Sequence, residues 1–360
     1  MRGRRWARRG VLAFGVLATA GVVAATALAA TTTVVEGLDN PRGLTFGPGG
    51  RLVIAESLTG VTDAKLKKKE GPEVRLLTAV PGVVDVAVAD GLGRTYGVVG
   101  ADAPENGPAG ASTLVRARPG GEVDVIADIA AYQQSDPDEA DLEGDPTESN
   151  ANGLGLLGDG KFLVADAAGN DVLLVDERTG DITTVARFLP EQVPWPAGEP
   201  PFPAPPPGTP VPAEAVPTSV TVGPDGAYYV TELKGFPFSP GTSRIWRIEP
   251  GSVDAVCDPA NDDVGPCTTV ASGFSSLIDL AFGSDGAMYP LEIAKESLWA
   301  VEILGAPPLG ALYRVKDGTK TELAGNLLFP GGVAVGDGEI YVTTGAVFGP
   351  DAGSVVRVSP

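Results

Sequence analysis

The chain has 360 residues, with 46 acidic side chains against 26 basic ones, a formal net charge of −20, and no histidine. The charge excludes a nucleic-acid partner, which needs a basic surface; the missing imidazole excludes His-dependent triads, His general bases and His-ligated metals. The 49 glycines, 33 prolines and 43% hydrophobic residues exclude a disordered chain and fit many short strands joined by tight turns.

Residues 1–30 differ in kind from the rest. MRGRRWARRG carries five arginines and no acid, an uncharged Ala/Gly/Val-rich run follows, and Ala27-Leu28-Ala29 forms an A-x-A cleavage pattern. We expect an export signal removed from the mature chain, with an uncleaved membrane anchor as the alternative. The Sec route is expected; Arg8-Arg9-Gly10-Val11-Leu12 also looks like a twin-arginine signal. Secretion or display at the cell surface follows. No membrane span is expected in the mature chain, whose negative charge deepens once the five arginines are gone.

From Pro41, PRGLTFGPGGRLVIAE reads as two apolar strands around a Gly-rich turn. The unit returns as VVDVAVADGLGRTYGVV near Val84, NGLGLLGDGKFLVAD at Asn152, PTSVTVGPDGAYYVTE at Pro217, LIDLAFGSDGAMYPLE at Leu277 and PGGVAVGDGEIYVTT at Pro330. A second hairpin often follows, as in DVLLVDERTGDITTVA from Asp171 and GALYRVKDGTKTELAG from Gly310. Four strands per unit, six times over, predicts an all-β fold: a single six-bladed β-propeller over residues 31–360. The last unit ends at GSVVRVSP without an outer strand, while TTTVVEGL (residues 31–38) precedes the first unit as a surplus strand. Residues 31–38 are therefore predicted to close the ring by pairing with the C-terminal blade, which removes open sheet edges.

Three stretches fall outside the unit and read as loops: the basic 65–74, the acidic 133–149 and the Pro-rich 193–212. The Pro-rich stretch is expected to be an extended connection, with partner docking as the alternative. Cys257 and Cys267, the two cysteines, are expected to form a disulfide, as suits an exported protein.

Aligning the units predicts which residues stand at the mouth of the central channel. One position before each first strand falls on Arg42, Val84, Asn152, Thr218, Ile278 and Gly331. The next falls on Gly43, Asp85, Gly153, Ser219, Asp279 and Gly332, and Asn40 and Asn150 lie just upstream. Asn40, Arg42, Asp85, Asn150, Asn152, Thr218 and Asp279 are the candidate ligand residues. The ends of the second strands fall on Glu56, Val99, Asp166, Glu232, Glu292 and Thr344. The four carboxylates Glu56, Asp166, Glu232 and Glu292 are candidate ligands for a divalent cation, of which Ca²⁺ suits oxygen donors best. The competing reading is structural: each acid caps backbone N–H groups of its own blade. Asp85 and Asp279 recur less and are the better site candidates. No G-x-S-x-G elbow and no phosphate-cradling loop occurs. GFPFSPG (residues 235–241) either walls a pocket over the mouth or packs as a loop.

GLDNPRGLTFGPGGRLVIAE, SNANGLGLLGDGKFLVADAAGNDVLLVD and VPTSVTVGPDGAYYVTELKGFPFSPGTSRIWRI closely resemble the ScyD/ScyE family of exported bacterial proteins, related to NHL-type propellers. The resemblance covers nearly all of residues 31–360 and implies the fold and export but no agreed reaction. SNANG replaces the family's Asn-Pro, and Pro290 inside AMYPLE is expected to weaken pairing or mark a bulge. More distantly, gluconolactonase- and paraoxonase-like propellers hold Ca²⁺ at the channel mouth, which Glu56, Asn152 and Asp279 would imitate. The expected function is a monomeric binding protein for a small molecule, glycan or protein. The alternative is a Ca²⁺-dependent, lactonase-like hydrolase using Asp85 or Asp279 with Glu56 and Glu232.

Overall fold

The computed structural model describes residues 30–67, 71–89, 94–117 and 122–359. Residues 1–30, the segment expected to be an export leader, lie outside them but for the last residue, as does the centre of the basic 65–74 stretch. Among the described residues no helix is long and apolar enough to cross a membrane.

Strand β1 (Thr31–Leu38) comes first but belongs to the last blade. Blade 1 is β2 (Pro41–Gly47), β3 (Arg51–Glu56), β4 (Gly60–Lys65) and β5 (Glu73–Ala79). Blade 2 is β6 (Val83–Ala89), β7 (Arg94–Val99), β8 (Thr113–Ala117) and β9 (Val123–Asp128). A short helix, α1 (Ile129–Gln133), opens the acidic loop to blade 3: β10 (Ala151–Gly158), β11 (Lys161–Asp166), β12 (Asp171–Asp176) and β13 (Ile182–Phe188). The Pro-rich stretch begins and ends in a small hairpin, β14 (Glu191–Pro194) with β15 (Pro210–Ala213), so it is a folded flap and not only an extended connection. Blade 4 is β16 (Pro217–Val222), β17 (Tyr228–Glu232), β18 (Ser243–Ile248) and, after β19 (Ala255–Cys257), β20 (Cys267–Phe274). Blade 5 is β21 (Leu277–Phe282), β22 (Met288–Glu292), β23 (Leu309–Lys316) and β24 (Thr319–Leu328). Blade 6 is β25 (Val333–Gly336), β26 (Glu339–Thr344), β27 (Gly353–Val358) and β1. The six-bladed propeller expected from the repeat is present. So is its closure: β1 runs antiparallel to β27, with Thr31 opposite Val358 and Leu38 opposite Gly353.

The turns follow from the residues that occupy them. Asp159-Gly160 and Asp337-Gly338 each place two successive residues at positive φ (51° and 74°; 52° and 77°). That is the type I′ geometry whose twist suits a two-residue hairpin, and Asp-Gly tolerates it best. The strands then alternate. Leu52 and Ile54 of β3 face blade 6, packing with Tyr341 and Val355, while Val53 and Ala55 face blade 2, packing with Val86 and Val99. Phe162 and Val164 of β11 likewise face blade 2, and Leu163 and Ala165 face blade 4. Both faces of a blade are thus buried, one against each neighbour, and each interface has its own apolar cluster.

Two local features refine the sequence reading. Cys257 and Cys267 are bonded. Cys257 ends β19, which adds in parallel to β13 of blade 3, while Cys267 starts the outer strand of blade 4, so the disulfide clasps two blades. Pro290 does interrupt pairing: the β22–β23 ladder joins Met288 to Val315 and Leu291 to Leu312, with no partners for Tyr289 and Pro290 between them. The register is the same on both sides, so the missing N–H leaves a gap and not a bulge.

Candidate functional site

The first strands β2, β6, β10, β16 and β21 each carry a bulge near their start. A bulge leaves a residue unpaired and re-aims its side chain. The bulged positions are Arg42, Val84, Asn152, Thr218 and Ile278, the positions picked out by aligning the repeats. They line a cavity on the propeller axis together with Gly331, Gly43, Asp85, Ser219 and Asp279. The cavity is about 10 Å³, room for one water. The axis is therefore plugged, and a larger ligand has to sit above it. Arg42, Asp85, Asn152, Thr218 and Asp279 are brought together as expected.

The plug is tight because small residues allow it. A Cβ on Gly43 would lie 2.6 Å from the Cα of Asp85, and one on Gly332 would lie 2.4 Å from the carbonyl oxygen of Arg42. Polar side chains bridge the neighbouring first strands. Asp85 accepts from Leu154 N–H (2.8 Å) in blade 3 and from its own neighbour Val86 N–H. Asp279, three blades away across the ring, accepts from Val333 N–H (2.7 Å) in blade 6, from Leu280 N–H and from the Ser219 hydroxyl (2.8 Å). The Asn152 amide donates to the Thr218 carbonyl (2.7 Å), and the Thr218 hydroxyl donates to the Leu277 carbonyl (3.0 Å). Burial pushes the carboxyls of Asp85 and Asp279 up from their ordinary range, and the charge of Asp279 adds to the rise at Asp85.

Asn40 and Asn150 lie outside the cavity lining. The Asn40 side chain accepts from Gly349 N–H (2.7 Å) and that of Asn150 from Ala101 N–H (3.1 Å). Each ties the entry to its own blade to a loop of the blade before.

The strand-end carboxylates do comparable local work. Glu56 accepts from Asp39 N–H (2.6 Å) and Asp166 from Asn150 N–H (2.6 Å), while Glu292 accepts from Ser275 N–H (2.7 Å) and the Tyr313 hydroxyl (3.0 Å). Each thus fastens the segment that enters its own blade. Glu232 instead meets the buried ammonium of Lys234 and the indole N–H of Trp246. Lys234 also pairs with Glu191 of the Pro-rich flap (2.8 Å), which Arg244 holds too (2.5 Å). Burial lowers the Lys234 ammonium to about 8, against the opposing pull of Glu191. Among the described residues no three Asp, Glu, His or Cys side chains converge as a metal-binding group. The four carboxylates serve four separate blades.

Sequence reasoning passed over two groups. Gln133 on α1 donates to both Asp166 (3.2 Å) and Asp171 (2.9 Å), all three fully buried. Burial and the charge of Asp166 push the Asp171 carboxyl well up. Gln133 follows an ordinary helical run, and nothing in its neighbours marks it. Thr343, whose hydroxyl donates to the Arg42 carbonyl (2.7 Å), stands one residue before the aligned strand end and looks like any strand threonine. GFPFSPG packs as part of an aromatic cluster: Phe236 lies 5.6 Å from Trp195 and 6.2 Å from Trp299, the latter on a π-helical turn at Trp299–Ile303. Phe236 nevertheless stays 44% exposed.

No protein-family model matches the chain, and comparison with curated proteins found no match. Solved structures do resemble it in fold. A structural-genomics protein of unknown function from Bacteroides thetaiotaomicron shares 10% identity at a TM-score of 0.55, over 91% of this chain and 75% of that one. The PQQ-bound aldose sugar dehydrogenase of Streptomyces coelicolor shares 16% at 0.52, over 93% and 99%. A putative gluconolactonase shares 11% at 0.52, over 92% of each chain. At these identities the likeness is one of propeller architecture.

Proposed function

We propose that the chain is an exported, non-enzymatic binding protein of the ScyD/ScyE kind, which docks its ligand over the channel mouth. One observation carries the reading. Asp85, Asp279, Glu56 and Glu292 each accept backbone N–H groups that hold blades together or fasten blade entries. A carboxylate committed in this way is a poor general base, since its oxygens are already engaged by donors that it cannot release to a substrate without loosening the frame. The second reading, a Ca²⁺-dependent lactonase-like hydrolase, draws on the raised carboxyls of Asp85 and Asp279 and on the fold shared with a putative gluconolactonase.

Native mass spectrometry of mature protein recovered from its own host separates the two. A co-purifying molecule that is lost from the Asn152→Leu variant supports binding at the mouth. A Ca²⁺-dependent rise in Tm together with lactone hydrolysis would replace it with the hydrolase.

A further inference from the structure

Arg42 is the bulged residue of blade 1 and lines the axial cavity half-buried. Other arginines with limited exposure are tied down. Arg51 pairs with Asp63, Arg116 with Asp124 and Glu177, Arg187 with Asp136, and Arg244 with Glu191 and Asp262. Among the described residues no hydrogen bond or ion pair engages the Arg42 guanidinium. Burial lowers its pKa, and the exposed Asp102 is the carboxylate whose charge opposes that. A guanidinium withdrawn from water with its five donors uncommitted is costly, and an anion would relieve it.

The other polar groups of the mouth are spent. Asn152 and Thr218 donate to carbonyls of the next blade, and Asp85 and Asp279 accept from backbone. We infer that Arg42 is an anion-reading residue and that the ligand over the mouth is a small organic monocarboxylate, held by a two-pronged guanidinium–carboxylate contact. This rests on the channel-mouth reading above.

A carboxylate is preferred to a phosphate on charge. One guanidinium neutralises one negative charge, and a second would face the field of a chain carrying net −20. An apolar body suits the same face. The loops joining second to third strands open there, and they expose Phe236 (44%) and Phe348 (39%).

The probes are benzoate, its neutral isostere benzamide, and inorganic phosphate, at matched ionic strength and up to tens of millimolar. We expect benzoate to raise Tm by a few degrees, benzamide and phosphate to leave it unmoved, and Arg42→Met to abolish the benzoate shift while Arg42→Lys keeps part of it. Should Arg42→Met not fold, Arg42→Gln gives the same readout. The assignment is overturned if benzamide matches benzoate, if phosphate acts as strongly, if an Arg42 variant retains the full shift, or if no anion acts. A benzamide shift lost in Asn152→Leu would keep binding at the mouth while removing the anion. A co-purified neutral molecule would do the same.

Discussion

Glu292 is 2% exposed, and its carboxyl is pushed up to about 7, burial being the main cause. An unfolded glutamate titrates at about 4.3. Between those values the folded protein binds more protons than the unfolded chain, so stability falls as pH rises. The contribution is fully present below about pH 4.3 and is lost by the time pH has risen through about 7, a decline of roughly 4 kcal/mol. Glu292→Gln keeps an acceptor for Ser275 N–H and carries no titrating proton. Denaturant unfolding at pH 5 and pH 7.5 should therefore show a smaller loss of stability in the variant than in the parent, and equal losses would refute the account. The strand-end acids were legible as a repeating position, because strand periodicity places them at one end of the blade. Capping of backbone N–H groups was one of the two readings the sequence offered for them, and Glu56, Asp166 and Glu292 do cap; what Glu232 meets was not legible. Lys234 lies two residues beyond Glu232, yet its ammonium folds back onto it and onto the flap, a contact set by a loop that has no period.

The disulfide clasp between β19 and β20 joins two blades. The two cysteines announced a disulfide, but β19 is three residues long and pairs with a strand of the preceding blade, so its sequence has too little alternation to be read as a strand. A bond closing a loop of this size restricts the unfolded chain by about 3 kcal/mol. The Cys257→Ser, Cys267→Ser double variant should lose roughly that much, and reductant should take the parent to the same midpoint while leaving the variant unmoved. The Pro-rich flap is the reverse case. Proline marked it as extended, but the Val193 and Trp195 side chains are buried, and the Trp195 ring lies 5.3 Å from that of Trp299. Tertiary packing made a folded piece of it.

Across the whole molecule the ring was legible because six copies of one hairpin leave little choice of architecture, and because the count of strands was one short at one end and one over at the other. The mouth was legible in position, since aligned bulges fall on aligned residues. Its plugging was not, because the approach of neighbouring first strands is a property of the closed ring. Val35 and Leu38 of β1 are each 1% exposed, so removing residues 31–38 uncovers apolar surface and the β27 edge together. The truncated protein should elute as aggregates in size-exclusion chromatography, and a synthetic peptide of residues 31–38 added in trans should restore part of the lost Tm. A monomeric truncation of unchanged Tm would show that β1 contributes little.

That same closure sets an order on biosynthesis. Thr31 pairs with Val358, and Ser359 N–H reaches the carbonyl of Ala30. Strand β1, the first of the described strands to leave the ribosome, therefore waits, unpaired, for the last of them to be made, and blades 1 to 5 precede the one that locks them. Closing so long a loop is slow compared with forming local hairpins. A chain cut short before Gly353 is an open arc with loose edges at both ends, the form that proteases and chaperones engage. Only a completely translated chain hides its edges.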